Sequence, residues 1–312
     1  MKTTFKEDIL LGLQKEQKVL PSRYFYDKKG DALFQQIMHI ESYYLPGCER
    51  EIIADKSDAI GSLLKKQRQN WNIVELGAGD GTKTLELLKK LLENKLEISY
   101  TALDISPNIL KENRKNIEQE LPNLPISTVT GNYFETCHSI LKEQKNNLIL
   151  FLGSNIGNYN TERTKSFFQW LKEGMQPEDL ILIAFDLKKN PHTILKAYND
   201  DEGITKAFNL NLLTRINREL EGNFDTAAFD HYPYYDPISG NCYSFIVSLK
   251  KQEVIIAGEV IPFKKHEVIH TEISKKYNLS EIENLCAENG FLVEEHFLDA
   301  KEYYSLSLLH LK

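Results

Sequence analysis

Glycines at 77, 79 and 81, in the run Val74-Glu-Leu-Gly-Ala-Gly-Asp-Gly-Thr-Lys-Thr84, follow an apolar stretch and precede a helical one. At the carboxyl end of a strand such glycines leave bare backbone for a ligand, because open α/β sheets bind their ligands there. Their spacing is GxGxG. A dinucleotide loop reads GxGxxG, and its third glycine lets a helix N-terminus approach a pyrophosphate. Glu75, at the head of the loop, would repel such an anion. A ligand with a cationic centre and an amino acid end would tolerate that carboxylate.

Two more strand ends carry suitable groups. Asp104 closes Thr101-Ala-Leu-Asp104, where an acidic side chain can accept both ribose hydroxyls of an adenosine. Gly131-Asn132-Tyr133 follows the next apolar run and offers an amide and a ring to an adenine edge and face. Taken singly, these are also an ordinary loop glycine, a capping Asp and a turn. Together, at successive strand ends, they favour S-adenosylmethionine, and "ELGAGDG" looks like the loop that binds it in class I methyltransferases. A nicotinamide cofactor is the second choice. A fourth strand end, Phe151-Leu-Gly-Ser-Asn-Ile-Gly-Asn158, contains Gly153 and Asn158. The Asn158 amide can bind an amine or a carboxylate, but an Asx turn or helix cap before Thr161 fits the spacing equally well.

The elements that must position these groups are legible from the pattern. Apolar runs at 72–77, 99–105, 126–130, 147–153 and 179–186 alternate with helical stretches at 84–94, 108–120 and 161–174. Such alternation predicts βαβ units on a parallel sheet covered on both faces. It stops at about Lys188. A helix over 194–220 is expected next, then turn-rich polar and aromatic sequence, then antiparallel strands at 242–249, 254–256 and 267–273. A helix at 280–289 closed by Gly290, and strands at 292–298 and 304–311, complete the chain. A mostly parallel seven-stranded sheet ending in an antiparallel hairpin is the Rossmann-like class I methyltransferase fold. Residues 52–188 plus 278–312 are then the S-adenosylmethionine-binding domain. An inserted α+β lobe, 1–51 plus 189–277, binds the substrate.

Bulk composition narrows the classes. A formal charge of −7 disfavours nucleic acid as a partner, since phosphate binding leans on Lys and Arg. The four cysteines, 48, 137, 242 and 286, show neither CxxC nor framework spacing, and the histidines show no metal pattern, so no metal is expected. The opening Met1–Asp8 has no apolar core of a secretory leader, and no apolar run reaches the length of a membrane span. A cytoplasmic monomer acting on a small molecule, with no membrane partner, is the expectation.

Several segments resemble the histidine-specific Nα-methyltransferase family of ergothioneine biosynthesis. They are "PSRYFYDKKGDALFQQIMHIESYYLPGCE" (21–49), "VELGAGDGTKT", "LFLGSNIGN", "AYNDDEGITKAFNLNLLTRINREL" (197–220) and "HTEISKKY" (270–277). The Tyr-Asp-x-x-Gly opening and the Asn-Arg-Glu-Leu helix are particular to that family, and the glycine loop is not. The resemblance implies cofactor contacts at Gly77, Gly79, Lys83, Asp104, Asn132 and Tyr133. It implies substrate contacts at Tyr26, Tyr43, Asn158, Tyr198, Glu272 and Ser274, with Gly153 beside them and with Tyr26 and Asn158 nearest the chemistry. Glu272 and Ser274 would meet one imidazole nitrogen and Tyr43 the other. Apart from the family pattern, Tyr43 reads as a packing aromatic and Glu272 as a solvent-facing strand residue.

Two positions depart from the family pattern. Asn132 stands where the family has Asp. No Met matches the family's residue near the imidazole, and Ser244 or Phe245 takes that place according to register. The implied reaction is S-adenosylmethionine-dependent methylation of the histidine α-amine, three times, to give hercynine (histidine betaine). A relative acting on tryptophan or another aromatic amine is the rival. A non-catalytic S-adenosylmethionine-binding protein is the rival from another class.

Overall fold

The five apolar runs become strands β1 (Asn70–Leu76), β2 (Glu97–Asp104), β3 (Ile126–Thr130), β4 (Asn147–Phe151) and β5 (Leu180–Asp186). With β6 (Phe291–Leu298) and β7 (Tyr304–Leu311) they form one sheet in the order β3-β2-β1-β4-β5-β7-β6. Strand β7 runs antiparallel to β5 and β6, and the other pairs are parallel. This is the expected class I topology. Strands β4 and β5 are buried along their whole length, as helices on both faces require. The helix Thr82–Glu93 buries Leu87, Leu88 and Leu91 and leaves Glu86 exposed. Each such leucine stabilises the packing by roughly 2 kcal/mol.

The computed structural model describes residues 4–143 and 146–312. The chain divides into two units, 45–187 with 277–312 and 1–44 with 188–276. The first, called here the sheet unit, differs from the expected domain at one place of consequence. The helix Leu45–Gln67 starts at Leu45, so residues 45–51 belong to the sheet unit and not to the inserted lobe. No apolar periodicity over 45–51 marks that assignment; Pro46 and Gly47 disguise the helix start.

The second, inserted unit holds a four-stranded sheet ordered Lys18–Val19, Val268–Lys275, Asn241–Ser248, Phe229–Asp236, and a two-stranded ribbon of Gln252–Ile256 with Glu259–Phe263. The helix expected over 194–220 is two helices, Pro191–Tyr198 and Ile204–Glu219. Between them Asp200 accepts from the N–H groups of Ile204 and Thr205 at 2.7 and 2.8 Å. These bonds satisfy donors that a helix start leaves open. The polar and aromatic stretch before 242 contains the strand Phe229–Asp236. It buries Phe229, His231, Pro233 and Tyr235 and exposes Tyr232 and Tyr234. Aromatic residues on both faces hide its alternation.

Three residues of the family-specific motifs, Asp27, Gly30 and Asn217, prove to be structural. Asp27 caps the helix Lys28–Ile37 by accepting from Gly30 N–H at 2.7 Å. It also accepts from Asn211 Nδ2 at 2.8 Å and Arg218 at 2.7 Å. A Cβ on Gly30 would lie 1.8 Å from the Phe25 carbonyl oxygen, so glycine is required there. Asn217 clamps Phe224 by donating to its carbonyl and accepting from its N–H, both at 2.8 Å.

Candidate active site

The predicted residues fall into two groups, one in each unit. In the sheet unit, the loop after β1 takes positive φ at Gly77, Gly79 and Gly81, at 72°, 55° and 75°. L side chains are strained in that region. A Cβ on Gly77 or Gly79 would meet nothing within 4 Å, whereas one on Gly81 would lie 2.8 Å from Asn113 Nδ2. The first two glycines therefore face open space at the strand end, and the third is packed. Asp104 accepts from Gly79 N–H at 3.1 Å and from Ser106 N–H at 2.9 Å. Its carboxylate keeps lone pairs for further donors.

The loop is braced from behind. Asn113 Nδ2 donates to the Gly79 carbonyl at 3.1 Å and to Tyr100 Oη at 3.3 Å. Tyr100 Oη donates to Glu75 at 2.5 Å, and Thr84 Oγ1 donates to the other Glu75 oxygen at 2.7 Å. Glu75 is buried and does not stand at the mouth of the loop. Burial pushes its carboxyl up to about 7, against the pull of those two hydroxyls. The expectation that Glu75 faces the ligand and repels anions is thereby corrected, because the side chain satisfies partners inside the fold.

Glu49 is a residue that the sequence reading passed over. It is 1% exposed and accepts from Gly153 N–H at 2.6 Å, Lys83 Nζ at 2.5 Å and Tyr304 Oη at 3.0 Å. One carboxylate thus ties the glycine-loop helix, the end of β4 and β7. Lys83 is engaged with this partner. Gly153 and Ser154 both take positive φ, 76° and 55°, and Ser154 Oγ accepts from Asp186 N–H at 2.9 Å. This tight turn leads into Asn155–Asn158, a short 3₁₀ segment. The cap before Thr161 is supplied by Asn160, which accepts from Arg163 N–H at 2.9 Å. Asn158 is therefore not the cap, and it is half-buried.

Asn132 is exposed, and its Oδ1 accepts from Phe134 N–H at 3.1 Å at the head of the helix Tyr133–Glu143. That leaves its Nδ2 as the outward group. Tyr133 shares a hydrogen bond with Tyr159 Oη at 2.5 Å and packs on Phe134 with centroids 4.7 Å apart. Its ring is a core-edge aromatic whose hydroxyl already has a partner.

In the inserted unit, Tyr26, Tyr43, Tyr198, Glu272 and Ser274 come together. Tyr43 and Tyr198 meet edge to face at 6.2 Å, and Tyr26 meets Phe34 likewise at 5.6 Å. Tyr198 Oη donates to Ser274 Oγ at 2.9 Å. Burial holds the Tyr43 phenol above the usual tyrosine range, and the Glu272 charge adds to it. The Tyr26 phenol is raised in the same direction by packing around its oxygen and by Glu272, although the residue as a whole is 45% exposed. The Glu272 carboxyl is pushed up to about 7 by burial, with Lys276 pulling it down. No hydrogen bond to its carboxylate occurs among the described residues. Lys276, which the sequence reading missed inside "HTEISKKY", is fully buried and donates to Tyr198 Oη and Ser274 Oγ. Strand pairing also settles the neighbour of Glu272. Ser244 stands opposite it, while Phe245 packs with His270 at 5.4 Å.

Among the described residues, no three or more His, Cys, Asp or Glu side chains gather to hold a metal ion. None of the described helices is long and apolar enough to cross a membrane.

A sheet of this order, with a glycine loop at the carboxyl end of its first strand and Asp104 at the end of the next, defines a Rossmann-like class I methyltransferase. Open space over Gly77 and Gly79 fits the amino acid end of S-adenosylmethionine. The chain belongs to the histidine-specific, S-adenosylmethionine-dependent methyltransferase family, whose model matches residues 5–311. It is 30% identical over 305 residues to the histidine N-alpha-methyltransferase of Mycolicibacterium smegmatis, covering 97% of this chain and 94% of that protein. It is 27% identical over 279 residues to ergothioneine biosynthesis protein 1 of Schizosaccharomyces pombe, covering 87% of this chain and 36% of that protein. A 4-dimethylallyltryptophan N-methyltransferase of Aspergillus fumigatus is 24% identical over 305 residues, covering 93% of this chain and 88% of that protein. The protein is thus an S-adenosylmethionine-dependent N-methyltransferase.

Proposed function

We propose that this enzyme methylates the α-amino group of L-histidine, three times, to give hercynine for ergothioneine synthesis. The observation that carries the reading is Glu272. Its carboxylate, partly buried beside Tyr26 and Tyr43, accepts no hydrogen bond from any described residue and so has room for a donor from a ligand. An imidazole N–H supplies one. A site built on such bonds rejects apolar isosteres far better than a greasy pocket does. The substrate is accordingly a small amino acid.

Residues of the inserted unit divide the work. Glu272, Ser274 and Tyr43 hold the ring, and Tyr198, whose hydroxyl proton goes to Ser274, packs edge to face on Tyr43 beside them. Gly77, Gly79, Lys83, Asp104, Asn132 and Tyr133 hold S-adenosylmethionine, which supplies the methyl group from its sulfonium. The α-amine must be neutral to attack, and a neighbouring cation lowers its pKa. Tyr26, whose phenol is held above the usual range, keeps its own proton at neutral pH and serves as a hydrogen-bond partner, not as a resident base. The rings of Tyr26 and Phe34 offer faces to a trimethylammonium group. Positioning supplies most of the rate, and no metal is needed.

The test is an amino acid panel with methyl-labelled S-adenosylmethionine. Label should enter histidine at the α-amine and not enter tryptophan or Nα-blocked histidine. Transfer to the imidazole nitrogen alone overturns the proposal.

A further inference from the structure

We propose that Lys276 is a positioning residue that sets ring specificity: its buried ammonium fixes the polarity of the Ser274 hydroxyl, so that Ser274 can only donate to the substrate. The inference rests on the histidine reading above.

Lys276 is 0% exposed, and its Nζ lies 2.7 Å from Tyr198 Oη, 2.8 Å from Ser274 Oγ and 4.7 Å from the centroid of the Tyr198 ring. Burying an ammonium is costly unless it is hydrogen-bonded, so these contacts are strongly held. A lysine ammonium only donates, and a hydroxyl has one proton and two acceptor lone pairs. Ser274 Oγ accepts from both Lys276 and Tyr198. Both of its lone pairs are then filled, and its proton must point to another acceptor. Glu272, two residues earlier on the same strand, accepts only, as long as it is ionised. The strand thus presents an acceptor and a donor on one face. A neutral imidazole has one N–H and one bare nitrogen and answers both, which places Ser274 at the second ring nitrogen, whereas the resemblance puts it with Glu272 at the first. An indole has only the N–H and leaves the Ser274 proton without a partner.

Full-length wild type, Lys276→Met, Ser274→Ala/Tyr198→Phe and the triple variant provide the test. Histidine binding is read by calorimetry on protein loaded with S-adenosylhomocysteine, and turnover by label transfer. Lys276→Met should weaken histidine binding at least about tenfold, the scale of hydrogen bonds to a charged group. Affinity for S-adenosylhomocysteine should stay within about twofold of wild type, since the lysine acts on the amino acid alone. In the background lacking both hydroxyls the same substitution should cost under about threefold, because the groups it organises are gone. A lysine that merely packs costs the same in both backgrounds, and that result overturns the inference, as does a Lys276→Met affinity within about twofold of wild type. If Lys276→Met loses its cooperative thermal transition, Lys276→Gln replaces it with the same two overturning outcomes. Wild type that transfers no methyl group to histidine refutes the proposed function itself. Active wild type with an unaffected variant refutes this inference alone.

Discussion

Glu272 lies directly across the strand pair from Ser244, and it reaches that place because the ladder slips between His270 and Glu272. Regular alternation from His270, paired with Phe245, would send Glu272 to the face of Tyr243 and His270. The bulge turns it to the face shared with Ser244 and Ser274 instead, and bulges commonly re-aim a side chain in this way. Thr271 pins the slip with one hydroxyl proton shared between the Ser244 carbonyl at 3.0 Å and Asn209 Oδ1 at 3.2 Å. The expected consequence is separable loss. Glu272→Ala should raise the histidine KM by about tenfold or more, the scale of a lost charge-assisted hydrogen bond. S-adenosylhomocysteine affinity, read by calorimetry, should hold steady. Equal loss of both ligands would remove Glu272 from ring recognition.

Glu49 makes the opposite prediction. Its carboxylate is buried with three donors, one of them the Lys83 ammonium. Removing Glu49 takes the acceptor from the Gly153 N–H and the Tyr304 hydroxyl at a cost of roughly 1–3 kcal/mol, while Lys83, about a third exposed, can turn to water. Glu49→Ala should therefore lower the melting temperature by several degrees, and the freed Gly153 turn and Lys83 should weaken S-adenosylhomocysteine binding. Differential scanning calorimetry with and without the ligand checks both. An unchanged melting temperature would mean that the Glu49 cluster contributes nothing to the sheet unit.

Much of this site is legible in the sequence, and the remainder is hidden for physical reasons. Gly77 and Asp104 show themselves because strand periodicity ends beside them. The Tyr-Asp-x-x-Gly motif is equally visible, yet its Asp27 acts as a cap and an ion-pair partner, so not every residue of a family motif need touch a ligand, even where its neighbour Tyr26 is proposed to. Glu49 is silent because its three partners lie at positions 83, 153 and 304, separations that no local pattern encodes. Lys276 is silent because one of two adjacent lysines is buried, and composition makes both look solvated. The parity of Glu272 could not be read, since a bulge inserts one residue without any sequence mark.

The three loop glycines should separate in the same manner. Gly79→Ala places a methyl group in open space, so its folding cost is confined to the left-handed backbone, about 1 kcal/mol. That methyl group occupies the room proposed for the ligand, and S-adenosylhomocysteine affinity should fall well beyond the loss in stability. Gly81→Ala drives its Cβ against the Asn113 amide and should cost more in stability than Gly79→Ala does. Urea denaturation of the two variants, paired with calorimetric titration, gives the comparison. Gly79→Ala that binds like wild type would place the ligand elsewhere.

Glu75 gives the pH dependence. Burial raises its folded value to about 7, against an unfolded value of about 4.3. Between those values the folded state binds more protons than the unfolded one, so stability falls as pH rises. The stabilising contribution is full below about 4.3 and is lost as pH climbs through about 7. A shift of this size is worth on the order of 3 kcal/mol. Glu272 titrates in the same window, so the wild-type curve alone does not isolate Glu75. Glu75→Gln does, because its amide is neutral throughout. The stability of Glu75→Gln relative to wild type should rise between pH 5 and pH 8 by a few kcal/mol, read from urea midpoints at each pH. Parallel curves for the two proteins would show that Glu75 titrates normally, and that its contacts with Tyr100 and Thr84 hold a carboxylate at every pH above 5.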